Sequence, residues 1–253
     1  MKATRQVQDK LALPATESGK GPQPVVLVHG WTCNRRHWQS LLDSPPQGTR
    51  LIAVDLPGHG EAQELPLSSW TVKAQAQALV SALADIDNPV LVGHSMGGAV
   101  VLEAARLKPV KAVVLVDTFV IPYGDLDEET ARQIETPFQD NFVSGIANLV
   151  ANNAGPDLSE QEKQTLEREM AAARQDVMLP LWSDLLRWSP NAAFAEINCP
   201  IHAINGDLVG EAARARCAPY VTEWLQVGTW HFPQMEQPEV FADRLTRVLK
   251  SCG

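Results

Sequence analysis

Short apolar runs alternate along the chain with stretches in which apolar residues recur every three or four positions. The runs are VVLV (25–28), LIAV (51–54), VLV (90–92), VKAVVLV (110–116), PIHAI (200–204) and the weaker VTEWLQV (221–227), each bounded by Gly, Pro or Asp. Continuous apolar runs of this length, without polar residues at every second place, fit parallel strands buried on both faces. Between them Val72, Ala76, Leu79, Val80 and Leu83 form a helical stripe, and Ala99–Leu107 is rich in helix formers. Pro238–Leu249 reads as a closing helix with Val240, Phe241, Leu245 and Val248 facing inward. The alternation predicts an α/β fold with a mostly parallel, doubly wound sheet. There is no internal repeat or low-complexity tract. Ahead of Val25 no clear pair of alternating strands stands out, so any N-terminal hairpin is expected to be abbreviated.

One interval breaks the rhythm. Between Asp117 and Cys199 lie about eighty residues of mainly helical character, too many for a simple crossover between parallel strands. Ser159 followed by Glu162 reads as a capping box opening a helix through about Gln175, and Pro180 as the opening of another through Arg187. The chain therefore divides into a first core segment (1–121), a helical cap insertion (122–196) and a second core segment (197–253). Such an insertion is expected over the carboxyl ends of the strands, where open α/β sheets place their ligands. Phe138, Phe142, Met170, Met178, Trp182 and Trp188 supply its apolar underside, unless part of them only pack the insertion against itself.

Composition narrows the function. With 253 residues, 45% hydrophobic and 20% charged, the chain can bury one sizeable core. A formal net charge of −9 and the lack of any basic run argue against nucleic acid as a partner. No apolar run is long enough to span a bilayer, and the first residues lack the apolar region of a signal peptide. Cys33, Cys199, Cys217 and Cys252 show no metal-ligand spacing and fit a reducing compartment, so a cytoplasmic location is expected. A monomer and a homodimer fit this pattern equally.

The chemistry begins at VGHSMGG (92–98), where Ser95 occupies the centre of a G-x-S-x-G sequence that follows an apolar strand and opens a helix. In that setting a sharp turn strains the serine and exposes its Oγ. Gly93, Gly97 and Gly98 leave room where side chains would meet the neighbouring strand and helix. Three further segments accompany it: VVLVHGW (25–31), LIAVDLPGHG (51–60) and GTWHFPQMEQPEVF (228–241). Together, in this order and from about residue 24 to the C-terminus apart from the insertion, they resemble the α/β-hydrolase superfamily: the strand and HG turn, the D-x-P-G-x-G loop, the nucleophile elbow, and the segment carrying the histidine and last helix.

A serine hydroxyl needs a base to take its proton as it attacks. Of the six histidines, His29 in the HG turn, His59 in the PGHG loop and His94 in the elbow are expected to serve structure. His202 lies on a strand and His37 in a first helix, which leaves His231 as the base. The carboxylate that orients such a histidine is less clear. Many superfamily members carry it as G-x-x-D, but INGDLVGE places Val209 there. Asp207 is nearby, and Asp117 ends the 110–116 strand, where some branches of the superfamily hold the acid; Asp117 is preferred on geometry and Asp207 stays open. By resemblance the backbone N–H groups of Met96 and Trp31 form the oxyanion hole.

No Rossmann glycine motif, P-loop, metal-ligand cluster or pyridoxal signature occurs, so neither cofactor nor metal is expected. A serine in place of an aspartate disfavours dehalogenase and epoxide hydrolase chemistry. Esters, thioesters, lactones and the carbon–carbon bonds of β-diketones remain. A pocket of Trp31, His94, Phe138, Met178, Trp182 and Trp188 favours an apolar group, so the expectation is hydrolysis of small to medium apolar carboxylic esters. A cofactor-independent oxygenase and a non-catalytic ligand-binding module are the alternatives.

Overall fold

The computed structural model describes residues 12–226 and 228–252. In chain order its elements are β1 (Ala15–Ser18), β2 (Gln23–Val28), α1 (Gln39–Asp43), β3 (Thr49–Val54), α2 (Val72–Ala82), β4 (Val90–His94), α3 (Met96–Leu107) and β5 (Ala112–Val116). Four helices follow, α4 (Glu128–Asp140), α5 (Phe142–Asn153), α6 (Glu160–Ala171) and α7 (Gln175–Arg187). The chain then adds α8 (Asn191–Glu196), β6 (Ile201–Asn205), α9 (Glu211–Cys217), β7 (Val221–Leu225), α10 (Pro233–Glu236) and α11 (Pro238–Ser251).

The strands form one seven-stranded sheet in the order β1-β3-β2-β4-β5-β6-β7. Only β1 runs antiparallel, along β3 with Ala15 opposite Val54. This single four-residue strand is all that precedes β2 in the described sheet. Side chains of the parallel strands leave on alternate faces, and both faces are covered. Val25, Leu27, Val90, Val92 and Val114 pack with Trp38, Phe241, Leu245 and Val248 on one side. Val26, Val28, Leu91, Val113 and Leu115 pack with Leu79, Val100 and Val101 on the other. Two-sided burial is why these strands read as unbroken apolar runs.

Three helical expectations are corrected. Val240 is 40% exposed, because only Phe241, Leu245 and Val248 of α11 fall on the stripe that meets the sheet. Helix α6 does carry the capping box at Ser159 and Glu162, but it ends at Ala171, short of Gln175. Helix α7 starts at Gln175 and carries Pro180 inside it. There the carbonyl of Arg174 accepts from the amides of Val177 and Met178, so the turn is formed before the proline. The missing proline N–H is tolerated because Val177, Met178, Leu181, Trp182, Leu185 and Leu186 are all buried along the helix.

Helices α4–α7 occupy the interval between β5 and β6, and α4 packs on both α5 and α7. The Asp184 carboxylate of α7 accepts from the amide of Val72 at 2.8 Å, tying the insertion to the first turn of α2. Among the described residues no helix is long and apolar enough to cross a membrane, and no group of His, Cys, Asp and Glu is placed to hold a metal ion.

Candidate active site

Strand β4 and helix α3 meet at Ser95, whose backbone takes φ 52° and ψ −120°. A non-glycine residue at positive φ is strained, and here the surroundings impose it. A Cβ on Gly93 would stand 2.2 Å from the Gly97 carbonyl oxygen, and one on Gly97 would stand 2.5 Å from the carbonyl oxygens of Val28 and His29. Only bare backbone lets the turn close this tightly. The amide of Ser95 donates to Val116 O at 2.9 Å, and its carbonyl accepts from Gly98 N at 2.9 Å. The hydroxyl is thereby held above the carboxyl edge of the sheet.

Ser95 Oγ lies 3.0 Å from His231 Nε2. On the other side of the ring, Nδ1 donates to Asp117 Oδ2 at 3.2 Å. Asp117 directly follows β5 in a left-handed conformation, φ 49°, and is fully buried. Its second oxygen accepts the amide of Gly206 at 2.7 Å. Both carboxylate oxygens are therefore engaged and its orientation is fixed. Asp207 is placed elsewhere: it is exposed and accepts from the amide of Gly228 at 3.2 Å. The structure brings Asp117, and not Asp207, to the histidine.

The loop carrying His231 is held by its own backbone. The His231 amide donates to the carbonyl of Asn153, the last residue of α5, at 2.9 Å. Glu236, buried in α10, accepts the amides of Trp230 at 2.6 Å, Phe232 at 3.1 Å and Gly155 at 3.3 Å. Burial, and after it the charge of Asp117, push the Glu236 carboxyl above the usual carboxylate range against the pull of those three amides. His94 Nε2 donates to the His231 carbonyl at 2.6 Å. In the sequence Glu236 stands out only as one letter of a longer motif. Its role depends on how residues 230–236 curl around the carboxylate, which no local pattern encodes.

The remaining histidines are held neutral by burial. His29 is pushed down to about 3; its Nδ1 donates to Gly30 O at 2.8 Å, and its Nε2 accepts from the amide of Leu56 at 3.1 Å. His59 is pushed down to about 3 and His37 to about 4, and His94 also titrates well below the ordinary histidine value. Asp55, from the D-x-P-G-x-G loop, accepts the amides of Arg35 at 2.7 Å and Glu61 at 2.9 Å and pairs with the Arg35 guanidinium. It braces two loops at the carboxyl edge of the sheet.

Ser95 and His231 open on a cavity of about 310 Å³ walled by the core and by α4, α5, α6 and α7. Of the residues expected there, Trp31, His94, Phe138 and Trp182 line it. Trp31 stacks on Trp182 with ring centroids 4.5 Å apart and meets Phe138 edge-on at 5.1 Å. Met178 and Trp188 do not line it. Met178 turns toward Gly58 and contributes only its carbonyl, which accepts the Trp31 indole N–H at 3.0 Å. Trp188 lies beyond the end of α7, edge-on to Tyr123, with its N–H donated to Glu103 at 2.9 Å. The sequence pattern missed Thr118, Ile121, Leu149, Asn148 and Asn152, which do line the cavity. Thr118 could have been found, since it adjoins Asp117.

Met96 is the first residue of α3, where an amide has no carbonyl one turn back to bond. Gly30 passes so close to the elbow that a Cβ would lie 3.3 Å from Ser95 Cβ, which brings the start of the Trp31 segment beside the serine.

A model of the alpha/beta hydrolase family matches residues 25–244. The chain belongs to the alpha/beta hydrolase family. It is similar to the pimeloyl-acyl-carrier-protein methyl ester esterase of Aromatoleum aromaticum, 38% identical over 79% of this chain and 83% of that protein. It is also similar to the protein of the same name from Pseudoalteromonas atlantica, 36% identical over 75% and 77%. A solved hydrolase from Oleispira antarctica superposes with a TM-score of 0.83 over 95% of both chains at 14% identity, a likeness of fold.

Proposed function

We propose that this alpha/beta hydrolase is a serine esterase that cleaves small to medium apolar carboxylic esters through an acyl-enzyme. The observation that carries the reading is the continuous line from Ser95 Oγ through the His231 ring to the buried Asp117 carboxylate, at 3.0 and 3.2 Å, opening on an aromatic-walled cavity. The esterase names of the relatives support the same chemistry.

In this mechanism Ser95 Oγ attacks the ester carbonyl while its proton passes to His231 Nε2. Asp117 accepts from Nδ1, which keeps Nε2 free to receive that proton and stabilises the imidazolium. The carbonyl oxygen becomes an oxyanion held by the amides of Met96 and Trp31, an electrostatic effect that reaches about 3 kcal/mol per donor in other hydrolases. The tetrahedral species collapses, the carbon–oxygen bond to the alcohol breaks, and His231 returns the proton to the leaving alcohol. Water then attacks the acyl-serine with His231 again as base, releasing the acid and restoring Ser95. Helices α4–α7 act as a cap that supplies one wall of this chamber.

The test is the intact mass of the protein after treatment with a fluorophosphonate. A single adduct on the wild type that is missing from a folded Ser95→Ala variant supports an activated serine. A folded wild type that takes up no adduct and cleaves no ester overturns the reading.

A further inference from the structure

The turn between β6 and α9 touches both the acid and the histidine loop. At Gly206 the amide donates to Asp117 Oδ1 at 2.7 Å. One residue on, the Asp207 amide donates to Thr229 O at 3.0 Å, two positions ahead of His231. The fit is close: a Cβ on Gly206 would lie 2.5 Å from Thr229 Oγ1 and 2.6 Å from Thr229 O. What holds the turn itself is Arg214, in α9. Its Nη2 donates to Gly206 O at 2.7 Å, its Nε donates to Val209 O at 2.9 Å, and its Nη1 pairs with Glu223 of β7. Glu223 is held in turn by Asn205 Nδ2 at 2.7 Å. The guanidinium therefore spans both ends of the 206–209 turn and ties them to the neighbouring strand, which a planar fork of donors can do and a single ammonium cannot.

We infer that Arg214 is a positioning residue that keeps the Asp117 carboxylate and the His231 ring in register. The inference rests on the esterase reading of Ser95 and assigns part of its geometry to a side chain whose own bonds go to Gly206, Val209 and Glu223. The bond to Gly206 O matters most. That carbonyl and the Asp207 N–H belong to one peptide unit, so a cation on its oxygen strengthens the N–H as a donor to Thr229 O. The amide on the other side of the same glycine carries the acid. A misplacement of about 1 Å can cost about a hundredfold in rate, so a smaller drift of this turn is expected to cost about tenfold.

The experiment measures kcat and KM for p-nitrophenyl butyrate on wild type, Arg214→Met, Asp117→Asn and the double variant, each at a temperature where thermal unfolding shows it folded. Methionine keeps much of the arginine stem and none of its donors. With Asp117 present, Arg214→Met is expected to lower kcat about tenfold while KM stays within about twofold. In the Asp117→Asn background, where the pair it aligns is already broken, the same substitution should cost less than about twofold. An unchanged kcat in Arg214→Met overturns the inference. So does an equal loss in both backgrounds, which would make the effect of the arginine independent of the acid; in either case the esterase stands. A wild type that neither cleaves the ester nor takes up the fluorophosphonate instead overturns the esterase reading, and this inference with it. Should Arg214→Met not fold, Arg214→Lys takes its place, since it keeps a cation beside Glu223 but does not span Gly206 O and Val209 O. Its expected loss in kcat is about threefold, and a kcat equal to wild type overturns the inference.

Discussion

His94 donates from Nε2 to the backbone carbonyl of His231 at 2.6 Å, so one ring of the elbow grips the main chain of the other. The bond places the His94 proton on Nε2, and burial keeps that ring neutral. His94→Ala removes the grip while leaving Ser95 and Asp117 in place. We expect kcat to fall about tenfold, with KM changed less than about threefold, the size of a single buried hydrogen bond. Steady-state kinetics on the purified variant decide it, and an unchanged kcat would show that the loop holds without His94.

Asp117 and Asp207 are separated by what they touch. Asp117→Asn should slow both ester turnover and fluorophosphonate labelling by about a hundredfold or more, because the amide no longer stabilises the imidazolium. Asp207→Asn should stay within about twofold, since its exposed carboxylate accepts from the amide of Gly228, away from His231. Rates reversed between these variants would contradict the arrangement described.

Glu236 gathers the amides on either side of His231 together with that of Gly155. In Glu236→Gln one acceptor oxygen becomes an NH₂ group facing an amide N–H, which breaks the grip without emptying the space. The expected outcome is a fall in kcat of about 10-fold with little change in KM, and a larger fall for Glu236→Ala. Thermal unfolding measured in parallel separates this from general loss of fold: kcat should drop in Glu236→Gln at temperatures where the variant is still fully folded.

Acid should unfold the protein well before its surface carboxylates are all neutralised. His29, His37, His59 and His94 are all pushed below their ordinary value of 6.5 by burial. Above that pH both folded and unfolded chains keep these rings neutral. Below it the unfolded chain takes up protons that the folded one refuses until about 4 for His37 and about 3 for His29 and His59. Stability therefore declines as pH falls through this window, by up to about 1.4 kcal/mol per ring per pH unit. Urea midpoints at about pH 7.5 and about pH 5 test this: the second should be clearly lower, and equal midpoints would refute it.

Legibility in the sequence follows the range of the interactions. The parallel strands are readable because two-sided burial writes itself as continuous apolar runs. Ser95 and His231 are readable because each sits in a locally constrained motif. The choice between Asp117 and Asp207 is harder, because it turns on the pairing of β5 with β6 and on the left-handed turn at Asp117, both set by the assembled sheet. Val240 is misplaced by its pattern because it lies one residue off the buried stripe of α11. Met178 and Trp188 are misplaced because an aromatic or thioether side chain in a helical segment does not say which of several apolar surfaces it will meet. The clamp by Glu236 shows in the sequence only as one letter of a longer motif, because its contacts depend on how residues 230–236 curl around the carboxylate.

The hydrogen bonds from His231 N to Asn153 O and from Gly155 N to Glu236 join the end of α5 to the histidine loop. For protein engineering this makes the two segments one module. Exchanging α4–α7 for the corresponding helices of a relative, in order to graft a new substrate preference, keeps both bonds only where the new chain follows the path of residues 153–155, since the insertion contributes main-chain atoms alone.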